Sequence, residues 1–266
     1  LLLTNDDGFR APGIAALYES LANTRGRFAG PLAIPRAPGA TPTPADITVV
    51  APETVQSATS HGITFHEPLM ARPLEAPLDG GGVMRGQAVD GRPADCVKLA
   101  FAALLPDLMR EQHPGATADD LRTKSRPDLV VSGMNAGANC GVNVIYSGTV
   151  AAAIEAAFLG VTSIADGLPP AHTCLNINVP ATETETAMPE IVLARMNTHG
   201  LVDAYERRVS PGGAVYYWPA GHGLDFHAND EGADTEQLFA GKITVTPLSY
   251  DLTRDDQLDW VQSRIG

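Results

Sequence analysis

The chain opens Leu1-Leu2-Leu3-Thr4-Asn5-Asp6-Asp7-Gly8, and these eight residues set the fold. A short apolar run stopped by a polar, Gly-ended cluster is a buried strand giving way to a loop. Pro12 then stands where a helix would begin, and Ile14, Leu17, Tyr18 and Leu21 recur at i, i+3, i+4 and i+7. Residues 47–51 (ITVVA), closed by Pro52, repeat the apolar run. Strand, helix, strand, with no polar alternation within the strands, predicts a parallel sheet covered on both faces.

The pattern continues along the chain. Residues 95–105 (DCVKLAFAALL) predict a helix, 129–132 (LVVS) a buried strand, and the Ala-rich 150–159 another helix. Residues 161–165 and 175–179 (LNINV) predict further strands. In the last third, 215–218 and 243–246 are β-like, the Gly-rich acidic stretch 221–232 separates them, and 256–265 predicts a closing helix. The expected fold is α/β: one domain spanning 1–266, with a doubly wound, three-layer core over about residues 1–180. A β-rich C-terminal extension occupies about residues 181–266. Two stretches read as surface insertions: 30–46, with Pro31, Pro35, Pro38, Pro42 and Pro44, and the polar, mixed-charge connector 110–126.

Composition narrows the function. The 266 residues carry 18 Lys and Arg against 31 Asp and Glu, a formal net charge of −13. That balance disfavours duplex nucleic acid and anionic membrane surfaces as partners, since both are polyanions. No window approaches the ~18 consecutive apolar residues of a membrane helix. The start turns acidic too quickly for a signal peptide, and without an initiator Met, residues before Leu1 are expected. Three widely spaced cysteines, Cys96, Cys140 and Cys174, form no C-x-x-C pair. The expectation is neither a disulfide framework nor a zinc site, and a cytoplasmic location.

In open α/β sheets ligands sit beyond the carboxyl ends of the strands, so the loops that follow the strands carry the candidates. After the first strand come Asp6 and Asp7. Alone, an Asp-Asp-Gly is most simply an Asx-type turn with a helix cap. Ser57, after the second strand, and Asn135, after the 129–132 strand, change that balance. The four make an all-oxygen set suited to a hard cation, Mg²⁺ or Mn²⁺. A second element is Tyr146-Ser147-Gly148-Thr149, leading into the 150–159 helix. Ser147 is a candidate N-cap, and the exposed N–H groups with the helix dipole favour an anion. A cation cradle facing a helix N-terminus suggests phosphate.

The seven histidines are scattered; His61 and His66 flank a predicted β-hairpin, and His222 and His227 lie in the acidic loop. They are read as structural or surface residues. Gly133, Gly137 and Gly141 are spaced by four, which is not a dinucleotide fingerprint, and no Walker sequence occurs.

These motifs together resemble the SurE (survival protein E) family of metal-dependent nucleotidases. The resemblance rests on Thr4-Asn5-Asp6-Asp7-Gly8 with Ala11-Pro12-Gly13-Ile14, on 49–52 followed by Ser57, and on 127–141 (PDLVVSGMNAGANCG). It continues through 146–153 (YSGTVAAA), 175–180 (LNINVP) and 243–248 (ITVTPL). It implies a Rossmann-like core and a homodimer or homotetramer built partly by C-terminal arms. It also implies one divalent ion per subunit at Asp6, Asp7, Ser57 and Asn135. Asn5, Asn139 and the Ser147-Gly148-Thr149 turn match positions near bound phosphate. The implied reaction is hydrolysis of nucleoside 5′- or 3′-monophosphates, or other small phosphomonoesters, with Asp6 and Asp7 central to catalysis.

Three departures stand out. Gly91-Arg92-Pro93-Ala94-Asp95-Cys96-Val97 places Arg92 where the family usually has Thr. The 30–46 insertion is longer than usual, and only about nine residues separate Ala165 from Leu175, where the family carries another helix. Alternative readings are a broad-specificity acid phosphatase or exopolyphosphatase, and a non-catalytic Mg²⁺-binding phospho-receiver module. The receiver would need an acceptor Asp where Ser132-Gly133 stands. A haloacid-dehalogenase-type hydrolase would need D-x-D after its first strand, which Asp6-Asp7 does not supply.

Overall fold

The computed structural model describes residues 1–34, 41–161, 172–181, 188–220 and 223–265. The chain runs β1 (Leu2–Thr4), α1 (Pro12–Ala22), a small antiparallel ladder of β2 (Ala33–Ile34) and β3 (Thr43–Pro44), then β4 (Thr48–Pro52), β5 (Ala71–Pro77) and β6 (Val83–Val89). After them come α2 (Pro93–Leu99), a π-helical turn (Ala100–Leu104), α3 (Leu105–Gln112), α4 (Ala118–Lys124) and β7 (Val130–Ser132). A 3₁₀ turn (Gly141–Ile145) leads into α5 (Gly148–Phe158).

The central sheet has the order β5-β6-β4-β1-β7. β1 pairs in parallel with β4 and β7, and β4 in parallel with β6; only β5, at the edge, is antiparallel. Successive side chains of a strand point to opposite faces. Leu3, Val49 and Ala51 accordingly pack with Ile14 of α1 on one face, while Leu2, Val50 and Val89 pack with Cys96, Ala100 and Leu105 on the other. On that second face Val97 of α2 meets Ala152 and Ala156 of α5. Burial on both faces is why β1 and β4 are unbroken apolar runs, and the three layers are those expected from the sequence.

Sequence and structure part at four places. The helix predicted over 95–105 continues to Gln112, straight across Pro106. Proline has no N–H to donate, and the chain absorbs this with a π turn, in which Leu105 N–H reaches back five residues to Ala100 O. The connector 110–126 holds α4, started by a reciprocal cap. Thr117 Oγ1 accepts from Asp120 N–H at 3.2 Å, and the Asp120 carboxylate accepts from Thr117 N–H at 3.0 Å.

The predicted 175–179 strand exists as β8 (Cys174–Asn178), but it lies antiparallel to β12 (Ile243–Leu248) in a second sheet. β9 (Ile191–Leu193) joins β12 in parallel, giving the order β8-β12-β9. No strand flanks a hairpin at His61 and His66; residues 61–70 are bends and coil. Residues 162–165 of the predicted 161–165 strand, residues 35–40 of the 30–46 insertion, the short stretch before His172, and His222 lie outside the described residues.

The C-terminal region also carries a hairpin, β10 (Tyr205–Val209) with β11 (Val215–Pro219), then α6 (Asp234–Phe239) and, after β12, α7 (Asp255–Ile265). Every residue of β10 and β11 is exposed, and α7 buries none.

Gly86 leaves no room for a side chain. A Cβ there would come within 2.3 Å of Val49 O and 2.9 Å of Phe9 Cε2, and Phe9 is wholly buried. Gly86→Ala is expected to lower stability by about 3 kcal/mol, read as a drop in the urea midpoint.

Candidate metal and phosphate site

β4 and β7 flank β1 on opposite sides, so the chain turns in opposite directions from β1 and leaves a crevice beyond its carboxyl end. Backbone bonds close the neighbouring loops onto it. Phe9 N–H donates to Pro52 O at 2.7 Å and Gln56 N–H to Asp6 O at 2.7 Å, drawing the Ser57 loop against β1. Gly8, at φ +99°, makes the turn; a side chain there would strain the backbone and press on Thr54. From the other side Ala136 N–H donates to Asp7 Oδ2 at 3.0 Å, which brings Asn135 alongside.

Asp6 lies at the floor, 5% exposed, and accepts a hydrogen bond from the Thr149 hydroxyl in the first turn of α5. Gly148 makes the contact possible: a Cβ there would sit 3.0 Å from Asp6 Cβ and 3.1 Å from Pro93 Cγ. Ser147 caps the helix as expected, its Oγ accepting from Val150 N–H at 3.1 Å. Burial pushes the Asp6 carboxyl above its ordinary value, the Thr149 hydroxyl pulls it back, and the Asp7 charge pushes it up again.

Asn5 is fully buried. Its Nδ2 donates to Gly8 O at 2.9 Å, and its Oδ1 has no hydrogen-bond partner among the described residues. Asn135 turns its Nδ2 to Gly137 O at 2.8 Å, so its amide oxygen is not drawn into that bond. Ser57 is exposed at the rim. Ser57 and Asn135 therefore approach the Asp pair through their backbone neighbours, Gln56 and Ala136, with no direct side-chain bond to it.

The donors are oxygens, two of them adjacent carboxylates with one nearly dehydrated, and one buried amide oxygen lacks a donor. That chemistry fits a hard divalent cation, whose charge would relieve the repulsion between Asp6 and Asp7. The N-terminus of α5 beside them fits an anion.

Asn139 is held from the second sheet. Its N–H donates to Asn178 Oδ1 at 2.8 Å, and its carbonyl accepts from Asn176 Nδ2 at 2.6 Å and Asn178 Nδ2 at 3.1 Å. Two residues on, Gly141 N–H donates to Asp234 Oδ2 at 2.9 Å; Asp234 is wholly buried and also takes Asn197 N–H at 2.9 Å. Asn176, Asn178, Asn197 and Asp234 were not singled out from sequence. The polar alternation in LNINV was the available signal for the first two; Asp234 and Asn197 have none.

Arg92 is the N-cap of α2. Its guanidinium donates to Ile63 O at 3.2 Å, and its own N–H is accepted by Asp95.

Asp6→Asn keeps an acceptor for Thr149 but removes a dehydrated charge. At pH 7 without metal the variant is expected to melt a few degrees higher, about 2–4 °C. Added Mn²⁺ should raise the melting temperature of the wild type and leave that of the variant in place, as calorimetry would read.

A model of the family described as "Survival protein SurE" matches residues 36–169. The chain is 36% identical to the 5′-nucleotidase SurE of Syntrophobacter fumaroxidans, over 97% of this chain and 96% of the relative. It is 37% identical to the 5′-nucleotidase SurE of Rhodopirellula baltica, over 98% of each. The crystal structure of the SurE protein from Aquifex aeolicus superposes with a TM-score of 0.68 at 28% identity, covering 99% of this chain and 98% of that one. The crevice closed by Asp6, Asp7 and the capped start of α5 is thus found in a chain that belongs to the SurE family.

Proposed function

We propose that the protein is a divalent-metal-dependent nucleotidase, hydrolysing nucleoside 5′- or 3′-monophosphates to nucleoside and phosphate. The observation that carries this is the direct meeting of Asp6 with the first turn of α5, through Thr149 and Gly148. It sets a carboxylate pair and a helix N-terminus against the same small volume, an arrangement that complements one phosphoryl group. The 5′-nucleotidase names of the relatives point the same way.

Asp6, Asp7, Ser57 and Asn135 would hold the ion. When bound, Mg²⁺ or Mn²⁺ supplies charge neutralisation at the phosphoryl oxygens and a more acidic water. The rest falls to the chain. Asn5 and Asn139 orient the phosphate, and the Ser147-Gly148-Thr149 turn at the start of α5, with the helix dipole, stabilises its equatorial oxygens as charge redistributes. Asp7 is the less buried carboxylate and engages Ala136 N–H through Oδ2, which supports a role for its other oxygen in taking the proton of the attacking water.

Phosphate release from nucleoside monophosphates should require Mg²⁺ or Mn²⁺ and stop in excess EDTA. Asp6→Asn and Asp7→Asn should each lower kcat/KM by more than about a hundredfold. Full turnover in EDTA or in either variant would refute the assignment.

Homo-oligomerisation is the second part of the proposal. Tyr217 (63% exposed) and Trp218 on the β10–β11 hairpin, and Leu258, Trp260 and Ile265 on α7, leave large apolar side chains in water. Patches of this kind mark protein–protein contacts. A homodimer or homotetramer would cover them. Light scattering should give two or four chains per particle, and a Trp218→Glu, Trp260→Glu double variant should shift that towards one. A monodisperse wild-type monomer would rule this part out. Among the described residues no helix is long and apolar enough to cross a membrane.

A further inference from the structure

The loop that carries Ser57, residues 53–66, has no strand or helix of its own, and Ala58 and Ser60 sit at φ +57° and +54°, a region L-residues seldom adopt. Such a loop holds one shape only where its surroundings over-determine it. Its ties are hydrogen bonds spread along its length, among them that of Arg92 to Ile63 O. Gln56 N–H donates to Asp6 O; Ser60 donates through its N–H to Tyr146 O at 3.2 Å and through Oγ to Ile145 O at 2.8 Å. Thr64 donates through its N–H and hydroxyl to the Asp95 carboxylate, at 2.8 Å each.

Between these lies His61. Its Nε2 meets Glu155 Oε2 at 3.0 Å, and its ring stacks on Phe158 with centroids 5.6 Å apart and planes 17° from parallel. Phe158 is braced in turn by the edge of Tyr250 at 4.6 Å. Both of His61's partners lie on α5, the helix whose first turn touches Asp6. Glu155 is 5% exposed, and its other oxygen takes Lys98 Nζ of α2 at 3.1 Å. Burial works against the Glu155 charge, but the His61 and Lys98 hydrogen bonds together hold its carboxyl below the usual range, so it stays an anion for His61 to grip.

We propose that His61 is a positioning residue that clamps the Ser57 loop to α5 through buried Glu155, setting the distance between one metal-holding loop and the helix that holds phosphate. Lys98 shares the same carboxylate but sits on α2, outside the loop. It therefore bears on Ser57 only at second hand, through the Glu155 charge. This asymmetry separates a clamp from a purely structural ion pair.

The proposal rests on Ser57 being a metal-holding residue, and its test reads metal binding directly. Mn²⁺ alone would be titrated calorimetrically into the metal-free wild type and into His61→Ala, His61→Gln, Lys98→Met and Asp6→Asn, with folding checked by thermal melts. His61→Ala should weaken Mn²⁺ binding about tenfold, the scale of one hydrogen bond to a charged group, and raise KM for a nucleoside monophosphate more than it lowers kcat. His61→Gln, whose amide can still donate to Glu155, should recover most of the affinity. Lys98→Met should lower the melting temperature, and should cost clearly less Mn²⁺ affinity and raise KM clearly less than His61→Ala, since the His61 bond to Glu155 remains. Equal losses in His61→Ala and Lys98→Met, or an unchanged Mn²⁺ affinity in His61→Ala, would overturn the clamp while leaving the nucleotidase assignment intact. A wild type that binds no Mn²⁺, or an Asp6→Asn variant that binds it equally well, would overturn both.

Discussion

The buried Asp6 carboxylate, pressed against the first turn of α5, is the constraint the rest of the molecule is arranged around. Taking a carboxylate out of water beside a second one is unfavourable unless donors or a cation compensate. The protein supplies part of that compensation, through the Thr149 hydroxyl and the backbone at Asp6 and Thr149, and leaves the Asn5 amide oxygen buried without a donor among the described residues. A fold that tolerates such a deficit keeps it by stabilising everything around it. Of the strands that end at the crevice, β1 and β4 are packed with apolar contacts on both faces, with Leu2, Leu3, Val49 and Val50 wholly buried. Stability sits in the sheet, and the strain sits at its carboxyl edge.

The loops at the crevice are tied largely through main-chain N–H groups. Asp6 O and Tyr146 O each receive one from the Ser57 loop, Pro52 O one from the loop after β1, and Asp7 Oδ2 one from the loop after β7. A main-chain bond fixes where a loop passes while leaving its side chains available for a ligand, which is what Ser57 and Asn135 require. The second sheet enters the same scheme. Asn176 and Asn178 grip the main chain of Asn139, and Asp234 grips Gly141, so the β8-β12-β9 sheet and α6 together buttress the loop after β7. The C-terminal region is thus part of the site's support as well as the carrier of an exposed hairpin and helix.

How much of this was legible in the sequence follows from range. Strands buried on both faces announce themselves as apolar runs, and Ser147 announces a helix start, because both signals are local. The loops bearing Asp6, Ser57 and Asn135 could be placed at one edge because parallel strands present all their carboxyl ends on one side. The π turn before Pro106 was hidden, since proline normally ends or kinks a helix and nothing local signals the i−5 bond with which this one continues. The Thr117–Asp120 cap was readable but lay in a polar stretch with no apolar periodicity to suggest α4. β8 was found as a strand and not as a partner of β12, because pairing across 65 or more residues leaves no trace in either segment alone. The roles of Asp234 and His61 are of the same kind: each bonds a partner 93 or 94 residues distant.

The net charge of −13 bears on how an anionic substrate would reach such a crevice. At physiological salt the Debye length is about 8 Å, so exposed carboxylates farther from the crevice than that are felt weakly there. What a phosphate meets at close range is the positive end of α5 and, in the proposed reaction, a dication set on Asp6 and Asp7. A nearly dehydrated carboxylate such as Asp6 attracts a cation more strongly than a solvated one, because less water intervenes. The burial that costs the metal-free protein stability is therefore the same property that makes the ion hold, and only with the ion in place does the crevice oppose the sign of the surface around it.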